Sequence, residues 1–174
     1  RYAAERVGGL FLEDQGAGLS GAIRQAGSWL NDHGQRGLLM IPGDVPLVSA
    51  NEIDRIIDAH QGQPAVSLVP DREHDGTNAL ATTPADAIEY AFGRGSFHAH
   101  REAALAVGID PVVHTLSGLA LDIDNPMDLQ TLLSYDRETE SLAWLSDSGI
   151  ARRLVHRHND AEELSAISAA SRLI

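Results

Sequence analysis

Two apolar runs in this chain are continuous rather than alternating, and they constrain its fold more than any other feature. Gly37-Leu38-Leu39-Met40-Ile41 closes on Pro42-Gly43-Asp44, and Ala65-Val66-Ser67-Leu68-Val69 stops at Pro70. A strand with one solvated face alternates apolar and polar residues, so a continuous run predicts burial on both faces, as in a parallel sheet covered by helices. Between the two runs, Ser49 to Ala59 is predicted to be helical, with Ser49 as N-cap and Glu52 completing an S-x-x-E capping box. Leu19, Ile23, Ala26 and Leu30 recur at helical spacing, and Phe97 to Val107 suits another helix. Pro111 to Leu116 and the Gly-interrupted run Val7 to Leu12 suit further strands, and Pro126 opens a helix through Leu133. Strands alternating with helices predict an α/β fold with a mainly parallel sheet flanked by helices. Beyond Tyr135 the pattern changes. Ser141 to Ile150 and Ala161 to Ile174 read as amphipathic helices joined by the basic, histidine-bearing segment Arg152 to His158. The expected organisation is one domain over residues 1–135 and a helical C-terminal appendage over 136–174.

Composition narrows the functions open to such a domain. The 174 residues suffice for one α/β domain with a buried core. No cysteine is present, which removes disulfides, thiolate zinc sites and cysteine nucleophiles, and is in keeping with a cytoplasmic enzyme. A net charge of −12 argues against nucleic acid as a partner, because phosphate backbones select clustered basic residues. No apolar run approaches the roughly 20 residues of a bilayer span, so no membrane partner is expected. All 13 basic residues are arginines, so no step needing a lysine can be completed within these residues. A phosphorylated small molecule remains admissible if a divalent cation and local N–H groups offset its charge. The chain begins at Arg1, without a signal-peptide pattern, and reads as starting inside a longer protein.

Four places could carry chemistry. Asp44 follows a buried strand and is flanked by Pro42 and Pro46, which would hold a carboxylate at the edge where α/β sheets bind ligands; a simple turn cap explains it equally. Leu121-Asp122-Ile123-Asp124-Asn125-Pro126 again ends an apolar run. Strand alternation would put Asp122 and Asp124 on one side, where two carboxylates repel unless a cation lies between them. Hard oxygen ligands of this kind favour Mg²⁺. The competing reading is a turn with one aspartate capping the next helix. Gly76-Thr77-Asn78 offers close backbone approach beside short polar side chains. Phe92-Gly93-Arg94-Gly95-Ser96-Phe97-His98-Ala99-His100 could cradle an anion at a helix N-terminus, although a glycine-rich turn capped by Ser96 has the same appearance. His98 and His100 do not share a helix face and read as surface or substrate-contacting residues rather than zinc ligands. His74, His114, His156 and His158 lack partners at ligand spacing. No G-x-S-x-G elbow supports a serine hydrolase.

In order along the chain, G-L-x-x-A-I at Gly18, P-G-D-V-P-L around Asp44, P-D-R at Pro70 and G-T-N-A-L at Gly76 are followed by F-G-x-G-S-F-x-x-H at Phe92 and L-D-I-D-N-P-x-D-L at Leu121. Over roughly Gly8 to Leu133 the chain resembles the guanylyltransferases of deazaflavin coenzyme (coenzyme F-420) biosynthesis: 2-phospho-L-lactate guanylyltransferase and its phosphoenolpyruvate-using relatives. The resemblance implies a nucleotide-diphospho-sugar-transferase-like (GT-A-like) fold. It implies attack of a phosphorylated three-carbon acid on the α-phosphorus of GTP with release of pyrophosphate. Asp44, Asp122 and Asp124 would then hold Mg²⁺ as the catalytic carboxylates. Thr77, Asn78, Gly93 and Ser96 would bind the acid, and Gly18, Ser20 and Pro42 would lie on the nucleotide side. Two departures stand out. Gly18-Leu19-Ser20 replaces the family's G-L-N, and the family's lysine-bearing N-terminal segment is not among these residues.

Two other functions share parts of this pattern. One is a nucleotidyltransferase of the same fold acting on a sugar phosphate or a molybdopterin; G-T-N together with F-G-x-G-S-F disfavours it. The other is a non-catalytic phospho-acid-binding domain, against which the three aspartates count. The apolar faces of the C-terminal helices could pack on a neighbouring copy and make a homodimer.

Overall fold

The computed structural model describes residues 2–154. Its elements run α1 Tyr2–Arg6, α2 Gly18–Asp32, β1 Leu38–Met40, α3 Ala50–Ala59, β2 Ala65–Pro70, β3 Thr77–Thr83, α4 Ser96–Ala106, β4 Val112–Val113, α5 Pro126–Leu133 and α6 Glu140–Asp147. The helix expected over Ala161 to Ile174 lies outside the described residues, as do His156 and His158. Contacts divide the chain into two compact units: residues 1–42 with 48–120, and residues 43–47 with 121 onward. The segment Leu121–Leu133 therefore groups with α6, and the boundary expected after Tyr135 falls inside the second unit.

The first unit is built on a four-stranded sheet of order β1-β3-β2-β4. The expected two-sided burial is present: every residue of β2 is buried, and so is every residue of β3 except Thr83. One sheet face presents Met40, Val66, Leu68 and Leu80 to a core that also takes Ile23 of α2, Phe97 and Ala104 of α4, and Tyr90. The sheet is mixed, however, rather than mainly parallel. β3 pairs antiparallel with both β1 and β2, and only β2 and β4 form a parallel ladder. The reason is the connection. Asp71–Gly76 is a hairpin loop, whereas a parallel return needs a crossover of about a dozen residues or more. β1, β2 and β4 do share one direction; β3 alone is reversed.

Helix signals near the sheet behave as their residues dictate. The Ser49 hydroxyl accepts from the Glu52 N–H, and the Glu52 carboxylate accepts from the Ser49 N–H, completing the capping box of α3. Two expected strands do not form as read. Val7–Leu12 is irregular and exposed, because Gly8, at φ 71, turns the chain and no neighbouring strand pairs with it. Pro111–Leu116 contributes only the two-residue β4. None of the described helices is long and apolar enough to cross a membrane.

The second unit packs Leu47 and Leu121 against Leu132 of α5 and Leu145 of α6. Asn125, not an aspartate, caps α5. Its side chain accepts from the Met127 and Asp128 N–H groups, and the Asp128 carboxylate accepts in return from Asn125. Arg137 donates to the Leu47 carbonyl at 2.8 Å, which pins the Gly43–Leu47 segment into this unit.

Candidate functional site

The best-defined polar cluster of the first unit begins at the β2–β3 hairpin. Pro70 pairs with Thr77 while Val69 pairs with Ala79, so Asn78 is the extra residue of a bulge at the start of β3. Pro70 has no N–H to give the ladder, and bulges of this kind re-aim side chains. The loop is closed by Asp71, whose two carboxylate oxygens accept from the Asp75 and Gly76 N–H groups at 2.9 and 2.7 Å. A Cβ at Gly76 would stand 2.7 Å from an Asp71 carboxylate oxygen, so any other residue there would displace that carboxylate from the turn.

Asp75 carries the loop on to helix α4. Its carboxylate accepts from the Gly95 N–H and its carbonyl from the Phe97 N–H, both at 3.0 Å. The Ser96 N–H goes to the Gly93 carbonyl. This corrects the expected backbone cradle: the N–H groups of Gly95, Ser96 and Phe97 are already satisfied within the protein, and the anion next to this helix terminus is the protein's own Asp75. What remains to meet a ligand is side-chain chemistry. Gly93, at φ 121, and Gly95, at φ 72, allow the tight entry into α4.

That entry sets Ser96 against β3. Thr77, Ser96 and His100 are all buried, at 6%, 2% and 0% exposure. The Ser96 hydroxyl lies 3.2 Å from the Thr77 hydroxyl, which lies 3.0 Å from His100 Nδ1. His100 Nε2 accepts the Ala91 N–H at 3.0 Å, and the ring packs edge-on to Phe92. Burial lowers the His100 pKa to about 4. His98 is exposed as expected; His100 is not the surface residue its spacing suggested, because the inner face of α4 carries it into the core. Asn78, the next residue of the chain, is also buried, and its side-chain nitrogen has no hydrogen-bond partner, an orphaned donor of the kind a ligand oxygen would satisfy.

The residues expected on the nucleotide side are in the same unit. Gly18, at φ 68, is the first residue of α2, and Pro42 is half-buried just beyond β1. The Ser20 hydroxyl accepts from the Phe92 N–H at 2.9 Å, tying α2 to the segment that leads into Gly93. Ser20 therefore has a structural partner that the sequence did not reveal.

The carboxylates belong to the second unit. Asp44 is exposed and sits in a turn past the end of β1 rather than on a strand. Asp122 is half-buried and Asp124 exposed, and Leu121–Asp124 is irregular, so strand alternation does not place these two side chains. Instead the Ile123 N–H donates to the Asp44 carbonyl at 3.0 Å, which brings the two segments together backbone to backbone. Asp44 and Ile123 also line a cavity of about 440 Å³ with Pro46, Leu129, Glu140 and Trp144. Glu140, unnoticed in the sequence, adds a second carboxylate there; its only signal is its place in the first turn of α6.

Among the described residues no three acidic or histidine side chains are grouped closely enough to form a metal cage. Mg²⁺ does not require one. It commonly takes one or two carboxylates and completes its shell with phosphate oxygens and water.

With this geometry in view, comparison with known proteins is specific. The family model described as "Guanylyl transferase CofC like" matches residues 1–165. A phosphoenolpyruvate guanylyltransferase of Sphaerobacter thermophilus is 39% identical over 132 residues, which are 76% of this chain and 63% of that one. A 3-phospho-D-glycerate guanylyltransferase of Colwellia psychrerythraea is 37% identical over 115 residues, 66% of this chain and 54% of that one. The chain thus spans less than two thirds of the length of these relatives. A solved structure from Desulfovibrio desulfuricans G20, described as a nucleotide-diphospho-sugar transferase, superimposes with a TM-score of 0.65 at 16% identity, covering 84% of this chain and 66% of that one. That likeness concerns the fold, and it agrees with the fold expected from the sequence.

Proposed function

The chain belongs to the family of CofC-like guanylyl transferases, and from that premise we propose that the full protein transfers GMP from GTP to a phosphorylated three-carbon acid. A phosphate oxygen of the acid attacks the α-phosphorus of GTP, the bond from that phosphorus to the β-phosphate's bridging oxygen breaks, and pyrophosphate leaves. No covalent enzyme intermediate is required, in keeping with a sequence that has no G-x-S-x-G elbow. The acid is phosphoenolpyruvate, 2-phospho-L-lactate or 3-phosphoglycerate, and the product would feed the biosynthesis of a deazaflavin coenzyme in the cytoplasm.

The observation that carries this reading is the buried Thr77–Ser96 hydroxyl pair, followed in the chain by Asn78 with its orphaned amide nitrogen. Short hydroxyls and an amide donor, placed by a bulge and a glycine-gated helix start, suit the compact oxygens of a phosphorylated acid. Gly93 would let the acid approach the backbone closely. Gly18, Ser20 and Pro42 would serve the nucleotide, with Ser20 also holding Phe92 in place.

Asp44, Asp122 and Asp124 would hold Mg²⁺, with the Ile123–Asp44 hydrogen bond fixing their two segments. When bound, the ion supplies charge neutralisation for the nucleotide phosphates and helps align them for in-line displacement. The chain's own residues would hold the acid, orient its phosphate oxygen and exclude water from it.

The test is pyrophosphate release by the full-length protein with GTP, Mg²⁺ and each acid in turn, beside an Asp122→Asn control. Release with one acid, lost in the control, is the expected result. No release from folded protein with any acid overturns it and leaves a sugar-phosphate or molybdopterin nucleotidyltransferase, or a domain that binds without transferring.

A further inference from the structure

We infer that His100 is a positioning residue, which acts through Thr77 to make the Thr77–Ser96 hydroxyl pair a net hydrogen-bond donor toward the bound anion. The inference rests on the proposed acid site and adds to it a residue that never touches the acid.

The hydrogens available to these groups fix the direction of each bond. The Ala91 N–H points at His100 Nε2 at 3.0 Å, so that nitrogen must be an acceptor and cannot carry a proton. In the neutral ring the proton is then on Nδ1, 3.0 Å from the Thr77 hydroxyl, and His100 donates to Thr77. Full burial keeps the ring neutral, in line with a pKa lowered to about 4.

Thr77 and Ser96 together own two hydroxyl hydrogens. One is used in the 3.2 Å bond between them, whichever way it runs. Because His100 gives a hydrogen to the pair and takes none, the second hydrogen is left to donate outward. With the opposite tautomer, Thr77 would have to donate to His100, Ser96 to Thr77, and no hydrogen would remain. The pair would then present only lone pairs to a phosphate or carboxylate oxygen and repel it. A backbone N–H at Ala91 thus sets the polarity of a side-chain site on β3 through one imidazole.

The test has two parts on the full-length protein. First, long-range proton–nitrogen NMR of the unliganded protein reads which imidazole nitrogen of His100 bears the proton. Nδ1–H is expected, and Nε2–H overturns the inference. Second, a double-mutant cycle measures binding of phosphoenolpyruvate, 2-phospho-L-lactate, 3-phosphoglycerate and inorganic phosphate. His100→Ala and Thr77→Val should each weaken the bound anion about tenfold or more, as expected for a lost hydrogen bond to a charged group. The double variant should lose no more than Thr77→Val alone. His100→Asn, which keeps an N–H near the Nδ1 position, should recover much of the loss, and the KM for GTP should stay unchanged throughout. Additive losses, or no rescue by asparagine in folded protein, overturn the inference. So does a wild-type protein that binds neither acid nor phosphate. Anion binding that follows the cycle without any nucleotidyl transfer would instead remove the transferase reading and leave the role of His100 standing.

Discussion

The Ile123 N–H donates to the carbonyl oxygen of Asp44 at 3.0 Å, so the two segments that bear the candidate carboxylates are tied together within one unit. The bond uses backbone atoms only, so changing either aspartate side chain does not remove it. Asp44→Asn, Asp122→Asn and Asp124→Asn should therefore keep that tie while lowering kcat/KM by roughly 10²-fold or more, since the charge neutralisation supplied by the proposed Mg²⁺ is worth several kcal/mol in a phosphoryl-transfer transition state. Chelation of divalent ions should have the same effect on the wild type, reversed by added Mg²⁺. Full activity in chelator would remove the metal from the mechanism.

Asp75 is the brace between the hairpin and α4, accepting from Gly95 through its side chain and from Phe97 through its backbone. Asp75→Ala should destabilise the fold by about 1–2 kcal/mol, through the loss of a charged acceptor at a helix N-terminus. The KM for the acid should rise with little change in that for GTP, because the shift is felt first at Ser96. Urea titration and steady-state kinetics read the two effects separately. An unchanged acid KM would mean that Ser96 does not depend on this brace.

Glu52 is buried at 7% exposure, and its second carboxylate oxygen accepts from the Gly118 N–H at 2.7 Å while the first completes the capping box with Ser49. Ser49→Ala should cost about 1 kcal/mol, the usual value of a cap. Glu52→Ala should cost more, about 2–4 kcal/mol, because it also orphans a buried N–H. Equal losses in the two variants would show that the Gly118 contact contributes nothing.

Acid should weaken the protein through its buried histidines. Burial lowers the pKa of His100 to about 4, and those of His60 and His114 are also lowered, chiefly by burial, with the charge of His114 adding for His60 and that of Arg55 adding for His114. The unfolded chain takes up protons at these rings near 6.5, the folded chain only at lower pH, so protonation favours unfolding. Stability should be complete above about pH 6.5 and fall as the pH drops toward 4, with His100 alone contributing on the order of 3 kcal/mol. Denaturation midpoints across this range should show the slope, and His100→Asn should flatten part of it. A flat profile would mean that these rings are free to protonate in the folded state.

The local elements were legible in the sequence because their causes are local. The apolar runs at Leu38–Met40 and Ala65–Val69, the Ser49–Glu52 box and Pro126 each act on residues a few positions away, and each element formed where its signal lay. The motifs around Gly76, Phe92 and Leu121 also pointed to the family, because they are short stretches whose residues are read together. The division of labour between Thr77, Ser96 and His100 was not legible. It depends on β3 running back beside β2, on the bulge at Asn78 and on α4 starting under the hairpin, and none of these is recorded in residue spacing along one segment. For the same reason the Asp122–Asp124 alternation misled. The expectation needed a strand partner, and the tertiary structure pairs that segment with the Asp44 turn instead. The sequence by itself determined which residues seek burial and where helices begin. Only the tertiary structure decided which polar groups meet, because a hydrogen-bond network is a property of distances between segments, and those are set by topology and packing.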